Sequence, residues 1–344
     1  VKLSIAMCTH NGRRFLQEQL DSIAAQTRPP DELVVCDDQS ADDTREIVEE
    51  FASASPFPVR LYVNEKNLGS TKNFGKAIEL CEGDIVALCD QDDVWYPEKL
   101  AAIASVFSSR PNAGLVFADA ELVDESLRPL GRRILECISF GRAEQNAFNE
   151  GRAFNVLLAR NMVTGATLAF RSAYKELILP FPSFPITPGK YMLIHDGWIA
   201  IMIAAVAELA FIDRPLIKYR QHRKQQAGTI IPPKASVLDS DAQASTAWWE
   251  GAGESRFDMT KAKEYIAVYE RLMAKKDSFP LNKAASRFIA QAPLWELQAR
   301  HLSSRASLPK GRLSRVPAVL RELLTLRYHR YSNGLFSAAK DLLL

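Results

Sequence analysis

Ile85-Val86-Ala87-Leu88-Cys89-Asp90-Gln91-Asp92-Asp93 is an unbroken apolar run that ends in three carboxylates. The run is rich in branched residues and too short for a helix, so it reads as a buried strand, and the acids stand where that strand leaves a sheet. Three carboxylates at one point repel one another unless a cation sits among them. A hard divalent ion held by one or two of them, and completed by water and phosphate oxygens, is a common way to hold a nucleotide diphosphate. The same residues also suit a solvated acidic loop leading into a helix near Pro97, because Asp is a good N-cap and Pro is favoured in a first helical turn.

Outward from this strand the pattern repeats. Compact apolar runs at Leu3–Met7, Leu33–Cys36 and Val59–Val63 alternate with helical stripes: Leu16, Leu20 and Ile23, then Ile47, Val48 and Phe51, then Phe74, Ile78 and Cys81. Ser40-Ala41-Asp42-Asp43 resembles a capping signal for the second of these helices. Strand-helix alternation with near-continuously apolar strands predicts a mostly parallel sheet covered on both faces, with ligands beyond the carboxyl ends of its strands. Four polar segments then meet at one edge: Thr9-His10-Asn11-Gly12, Asp37-Asp38-Gln39-Ser40, Asn64 to Ser70, and Asp90 to Asp93. After residue 110, strands are expected at Leu115–Phe117 and Val163–Phe170. An apolar helix follows over 198–207, and then a strand pair, Leu209–Ile212 and Leu216–Tyr219, turned at Asp213-Arg214-Pro215. Ile231-Pro232-Pro233 marks a boundary near 230 between a first domain, 1–230, and a mainly helical region, 231–344.

Each polar segment has a chemical reading and a plainer one. Asp37 and Asp38 suit acceptance of hydrogen bonds from a ribose hydroxyl or a base N–H, or a turn leading to a Ser40 cap. Asn67-Leu68-Gly69 with Lys72 precedes a helix whose first amides and lysine could meet a phosphate, or is an ordinary turn beside a solvated lysine. Asp196 in His195-Asp196-Gly197-Trp198 is either a carboxylate tuned as a general base against apolar surroundings or a helix cap. Tyr219-Arg220-Gln221-His222 could close over a diphosphate with His222 as a metal ligand or phosphate donor, or be a basic turn. Neither the dinucleotide glycine fingerprint nor the P-loop occurs.

With 344 residues and a formal net charge of +2, the chain can bury a large core and carries no polyanion-binding surplus, so no nucleic-acid partner is expected. Its five cysteines form no CxxC pair and read as buried hydrophobes of a reducing compartment. The sequence opens on Leu3-Ser4-Ile5-Ala6-Met7 without a recognisable secretory leader, which leads to the expectation of a cytoplasmic protein. The stretch from Trp198 to Ala207 is well short of the roughly 20 residues that span a bilayer.

In combination and in order, these segments resemble family 2 glycosyltransferases of the GT-A fold over roughly residues 1–225. The resemblance implies donor contacts from Thr9 and Asn11 near the base, from Asp37 and Asp38, from Asn67 and Lys72, from Asp90 and Gln91 on the ribose or sugar side, and from Gly165 in Val163-Thr164-Gly165-Ala166. It implies Mn²⁺ or Mg²⁺ on Asp92 or Asp93, with His222 as a further ligand, and Asp196 as the catalytic base. The pairing of the Asp196 motif with Tyr219-Arg220-Gln221-His222 looks most like bacterial rhamnosyltransferases of surface polysaccharide synthesis, which implies a nucleotide-diphosphate sugar donor and a saccharide or lipid-linked acceptor. Arg223 and Gln225 stand where those relatives often carry glycine and asparagine. The rivals are a sugar-phosphate nucleotidyltransferase and a catalytically silent assembly subunit with the same fold.

From Leu297 to Leu344 nine Lys or Arg face two acids, Glu322 and Asp341. With Leu320, Leu323 and Leu324 beside Arg321, Arg327 and Arg330, this reads as a basic amphipathic helix, suited to peripheral contact with an anionic membrane or to packing on protein.

Overall fold

The apolar runs become the centre of one nine-stranded mixed sheet flanked by helices, in a computed structural model that describes residues 1–183, 193–222, 225, 259–293, 300, 304, 308, 312–327, 338 and 342. Strand β1 (Leu3–Thr9), β2 (Glu32–Asp37) and β4 (Ile85–Cys89) are buried along their whole length, as parallel strands covered on both faces must be. Between them run helices α1 (Leu16–Ala24), α2 (Thr44–Ala54) and α3 (Ser70–Leu80), with β3 (Val59–Val63) at the sheet margin. The spatial order is β3-β2-β1-β4, all parallel. The chain therefore steps outward from β1 through β2 to β3 and then returns to the other side of β1. That reversal lies between β1 and β4, and the crevice beyond their carboxyl ends is where open α/β sheets bind ligands.

The second half of the sheet mixes directions. β8 (Leu168–Arg171) runs antiparallel to β4 and to β6 (Ala113–Val123), while β9 (Glu208–Arg220) runs parallel to β6. The short β5 (Val94–Trp95) pairs antiparallel with β9, and β7 (Pro129–Arg133) with β6. These directions bring the start of β8 and the ends of β6 and β9 to the edge where β1 and β4 finish. Helix α4 (Lys99–Ser109) follows β5, and helices α5 (Ile134–Cys137), α6 (Arg142–Asn149), α7 (Ala153–Ala159) and α8 (Lys175–Ile178) fill the connections.

Three local expectations are corrected. Val163 to Phe170 is not one strand: Gly165–Thr167 is a 3₁₀ turn, and β8 begins only at Leu168. The strand pair around Asp213-Arg214-Pro215 is a single 13-residue strand, in which the register jumps from Ala118 opposite Ile212 to Asp119 opposite Pro215. Pro215 has no N–H to give the ladder, and an irregularity in the pairing accommodates it without reversing the chain. Ser40 does not cap α2, because its hydroxyl and amide both turn to Asp37, whereas Asp42 receives the Thr44 amide.

The apolar helix runs from His195 to Ala204 as α9, and every one of its residues is buried, which explains why it is apolar on all sides. All five cysteines are buried and free. No described helix is long and apolar enough to cross a membrane.

By contact density the chain divides into one unit of Val1–Ser183 with Leu193–Gly253, and a second of Phe184–Met192 with Glu254–Leu344. The expected break at Ile231-Pro232-Pro233 lies outside the described residues, as do Arg223, Lys224 and Arg330. In the second unit, helices α10 (Met259–Lys275) and α11 (Lys283–Ala290) pack through Tyr265 and Phe288, with ring centroids 5.4 Å apart. A further helix, Arg312–Leu324, places Val319 in a small core with Ala338, Leu308, Leu323 and Leu342.

Candidate active site

The loops after β1 and β4 are stitched together by one side-chain amide. Gln91 Oε1 accepts the His10 N–H at 2.8 Å, and Gln91 Nε2 donates to the His10 carbonyl at 3.1 Å, so the amide imitates a neighbouring strand across the crevice. Gly12 makes this closeness available, since a Cβ there would stand 2.3 Å from Gln91 Oε1. Asn11 adopts a left-handed conformation, φ 49°, which Asn tolerates better than most residues. It receives the Ala41 amide on Oδ1 at 2.9 Å and gives its own N–H to Ser40 Oγ at 2.8 Å, tying the β1 loop to the β2 loop.

Asp37 and Asp38, expected at a ribose or base, are engaged by the protein. Asp37 is fully buried. It accepts the Ser40 amide and Arg45 Nε on Oδ1, and the Thr9 and Ser40 hydroxyls on Oδ2. Burial alone would raise its carboxyl, but bonds from Ser40, Arg45 and Thr9 outweigh it and hold the group below the ordinary range. Its contribution to stability is thus complete above an unfolded value of about 4 and is lost as pH falls through the lower folded value. Asp37→Asn is expected to lower the unfolding free energy at pH 7 by about 2–3 kcal/mol. In urea titrations the gap from the unmodified protein should narrow below pH 4, and an equal gap at both pH values would contradict the assignment.

Asp38 accepts Asn64 Nδ2 and the Leu68 amide on Oδ1 and the Gly69 amide on Oδ2, at 2.7 to 2.9 Å, and so shapes the loop before α3. Asn67 completes it by donating to the Asp38 carbonyl at 3.2 Å. Lys72 stands exposed on the first turn of α3, where the leading amides have no partners within the helix.

The acid loop hangs between β4 and β9. Arg220, 2% exposed, gives its Nε to the Asp92 carbonyl at 2.7 Å and its backbone N–H to Asp93 Oδ1 at 2.9 Å. Its Nη atoms reach the Glu125 carbonyl at 2.6 Å and the Glu18 carboxylate at 2.5 Å, and its guanidinium lies 4.3 Å from the Phe15 ring centroid. With the backbone held this way, Asp92 Oδ2 meets His222 Nε2 at 2.8 Å. Asp93, expected beside them, turns into the protein, and its Oδ2 is buried without a hydrogen-bond partner. Asp90 is half-buried, and burial together with the charges of Asp92 and Asp196 pushes its carboxyl up to about 7. Burial, with Asp92 and Asp90, raises Asp93 still more strongly.

This donor set fits a hard dication held by few protein ligands. Among the described residues no three His, Cys, Asp or Glu side chains form a preformed cage. Asp92 with His222 would supply a carboxylate and an imidazole, while water and diphosphate oxygens would fill the remaining positions. The carboxylates that repel one another here are what such a charge would relieve.

Asp196 stands in the first turn of α9. Its Oδ2 accepts the Gly165 amide at 3.1 Å, and its Oδ1 accepts Asn161 Nδ2 at 3.3 Å and the Gly197 amide at 2.5 Å. Ile194 occupies the cap position of α9, so Asp196 is not the cap. Gly165 permits the approach, because a Cβ there would lie 3.0 Å from His195 Nε2. His195 is held by stacking on Phe74, with centroids 4.4 Å apart, and burial lowers its pKa.

Two supporting residues escaped the reading of the sequence. Lys99 is fully buried, with Nζ 2.8 Å from the Ala166 carbonyl and 3.5 Å from the Trp95 ring centroid; burial pulls its pKa down to about 7 against the attraction of Cys89, Asp93 and Asp90. The signal was present, since Lys99 falls four residues before Ile103 on the apolar stripe of α4. Asn161 carried none.

An α/β sheet with a reversal between β1 and β4 and an acidic loop at that point is the arrangement of a GT-A-type transferase domain. The family model for Glycosyl transferase family 2 matches residues 4–177, half of the chain, and the chain belongs to that family. The dTDP-rhamnosyl transferase RfbG of Shigella flexneri is 28% identical over 241 residues, 67% of this chain and 76% of that protein. An uncharacterized glycosyltransferase of Nostoc sp. is 26% identical over 225 residues, covering 64% of this chain. The matched region spans 65% of the Nostoc protein's length and 59% of that of three mycobacterial relatives. Among solved structures, S. aureus TarS 1-349 aligns with a TM-score of 0.54 at 15% identity, covering 96% of this chain and 88% of that one, a likeness of fold.

Proposed function

We propose that this domain is an inverting, metal-dependent glycosyltransferase that moves a sugar from a nucleotide-diphosphate donor to a hydroxyl of a saccharide or lipid-linked acceptor. The observation that carries the reading is the Asp90–Asp93 loop, fixed at the crevice by Gln91 and Arg220, with Asp196 held by Gly165 in the turn that leads into β8 beside β4. A bound Mn²⁺ or Mg²⁺ would offset the charge that develops on the departing diphosphate. Asp92 and His222 would hold that ion, with Asp90 on the ribose or sugar side. The exposed Lys72 and the first amides of α3 face phosphate chemistry, while Thr9, Asn11 and Asn67 line up the loops that border the nucleoside.

Asp196 then takes the acceptor proton. Its Oδ2 receives one hydrogen bond, from Gly165, and retains a lone pair for an incoming hydroxyl. The acceptor oxygen bonds to the anomeric carbon as the bond from that carbon to the diphosphate oxygen breaks, and the proton passes to Asp196. A single displacement inverts the configuration.

Likeness to RfbG favours dTDP-rhamnose as donor. A panel of nucleotide sugars with and without Mn²⁺ tests this by thermal shift. The expected result is that dTDP-rhamnose with metal, near a hundredfold over its dissociation constant, adds about 2.7 kcal/mol of stability, and that UDP-glucose, UDP-GlcNAc and GDP-mannose add less. Greater stabilisation by another donor would reject rhamnose.

The reading extends to a cytoplasmic site of action with peripheral membrane contact. Val316, Leu320 and Leu324 lie four residues apart on the helix Arg312–Leu324 and are 37%, 50% and 84% exposed, with Arg321 also exposed. Flotation with anionic vesicles is expected at low salt and should fall sharply at 0.5 M salt; flotation that ignores lipid charge would contradict an electrostatic contact.

A further inference from the structure

We infer that Lys99 is a positioning residue for Asp196, holding the Gly165–Thr167 turn through the Ala166 carbonyl. The inference rests on the transferase reading and adds to it a buried side chain that aims the base.

Two facts single out this side chain. Its ammonium is enclosed completely, donates to the Ala166 carbonyl at 2.8 Å and lies 3.5 Å from the centroid of Trp95, two residues beyond Asp93. Ala166 follows Gly165, whose amide holds Asp196 Oδ2 at 3.1 Å. A displacement of the ammonium is therefore passed on through one peptide unit to the carboxylate that would receive the acceptor proton. Packing does not explain a lysine here. A methionine is nearly the same length and would fill the same space without the penalty of burying a charge.

By steadying the turn that aims Asp196, Lys99 favours turnover rather than donor binding, whereas a residue serving only to fill the core would not separate the two.

The test compares Lys99→Met with Lys99→Arg in the full chain. Melting temperature, kcat and donor KM are measured for each. For Lys99→Met, which leaves the Ala166 carbonyl without its partner, the expected result is a melting temperature lowered by a few degrees, kcat reduced about 10- to 100-fold and donor KM changed less than about threefold. Lys99→Arg, which keeps a donor for that carbonyl, is expected to recover part of the lost kcat. A kcat of Lys99→Met like that of the unmodified enzyme, or a donor KM that rises as much as kcat falls, overturns the inference. If the unmodified protein transfers no sugar from any donor, the transferase reading fails and the inference with it.

Discussion

Asp196→Asn is expected to reduce turnover by about 10³-fold or more, within the span attributed to a positioned general base or above it, and to leave donor affinity within about threefold. The substitution preserves size, so α9 and its packing should survive. What changes is chemical: an amide cannot take the acceptor proton, and its NH₂ group would have to face one of the donors that now converge on Asp196, namely Gly165, Gly197 and Asn161. Asp196→Glu retains a carboxylate but moves it by one methylene, against a turn in which a Cβ on Gly165 would already lie 3.6 Å from the Asp196 Cβ. A loss of about 10²-fold is expected there. Single-turnover transfer at saturating donor checks both variants, and near-normal transfer by Asp196→Asn would remove the base from the mechanism.

Asp92→Ala is expected to weaken metal-dependent donor binding by about 10- to 100-fold, and its second consequence runs the other way. Asp92 is among the causes that raise both Asp90 and Asp93, so its removal relieves repulsion in the metal-free protein. The variant should melt at the same temperature as the unmodified chain, or higher, without metal, and should lose most of the additional stabilisation that donor and Mn²⁺ produce together. Asp92 Oδ2 is also the partner of His222 Nε2, so His222→Ala should reproduce the metal defect in part. Titration with donor in Mn²⁺ and again in EDTA separates the effects. Equal donor affinity in both conditions for the unmodified protein would end the metal proposal.

Much of this architecture was legible because it is written in short-range patterns. The four apolar runs and the helical stripes between them fix β1 to β4 and their order of appearance, and parallel pairing then forces the loops after Thr9, Asp37, Val63 and Cys89 onto one edge. The family resemblance was likewise carried by local motifs. What local pattern could not supply is partnership between distant residues. Asp37 and Asp38 look like ligand contacts in the sequence, and only the fold reveals that Arg45, Asn64 and three loop amides already claim them. Asp93 looks like its neighbour Asp92, yet the backbone N–H of Arg220, 127 positions away, draws it inward. The irregular pairing at Pro215 looks like a turn in the sequence because a proline between two apolar runs commonly marks one; pairing with β6 on both sides keeps the strand continuous.

The manner in which Arg220 closes the crevice sets a timetable for biogenesis. Its side chain joins the acid loop to Glu18, 202 positions earlier, so the pocket is fastened by the last described strand of its unit. Contacts of such sequence separation form late, after the cost of closing long loops has been met. A nascent chain stalled before β9 would own a finished β1–β4 half-sheet with its carboxylates untethered. Competence to grip a donor would arrive abruptly, with the emergence of a single arginine from the ribosome.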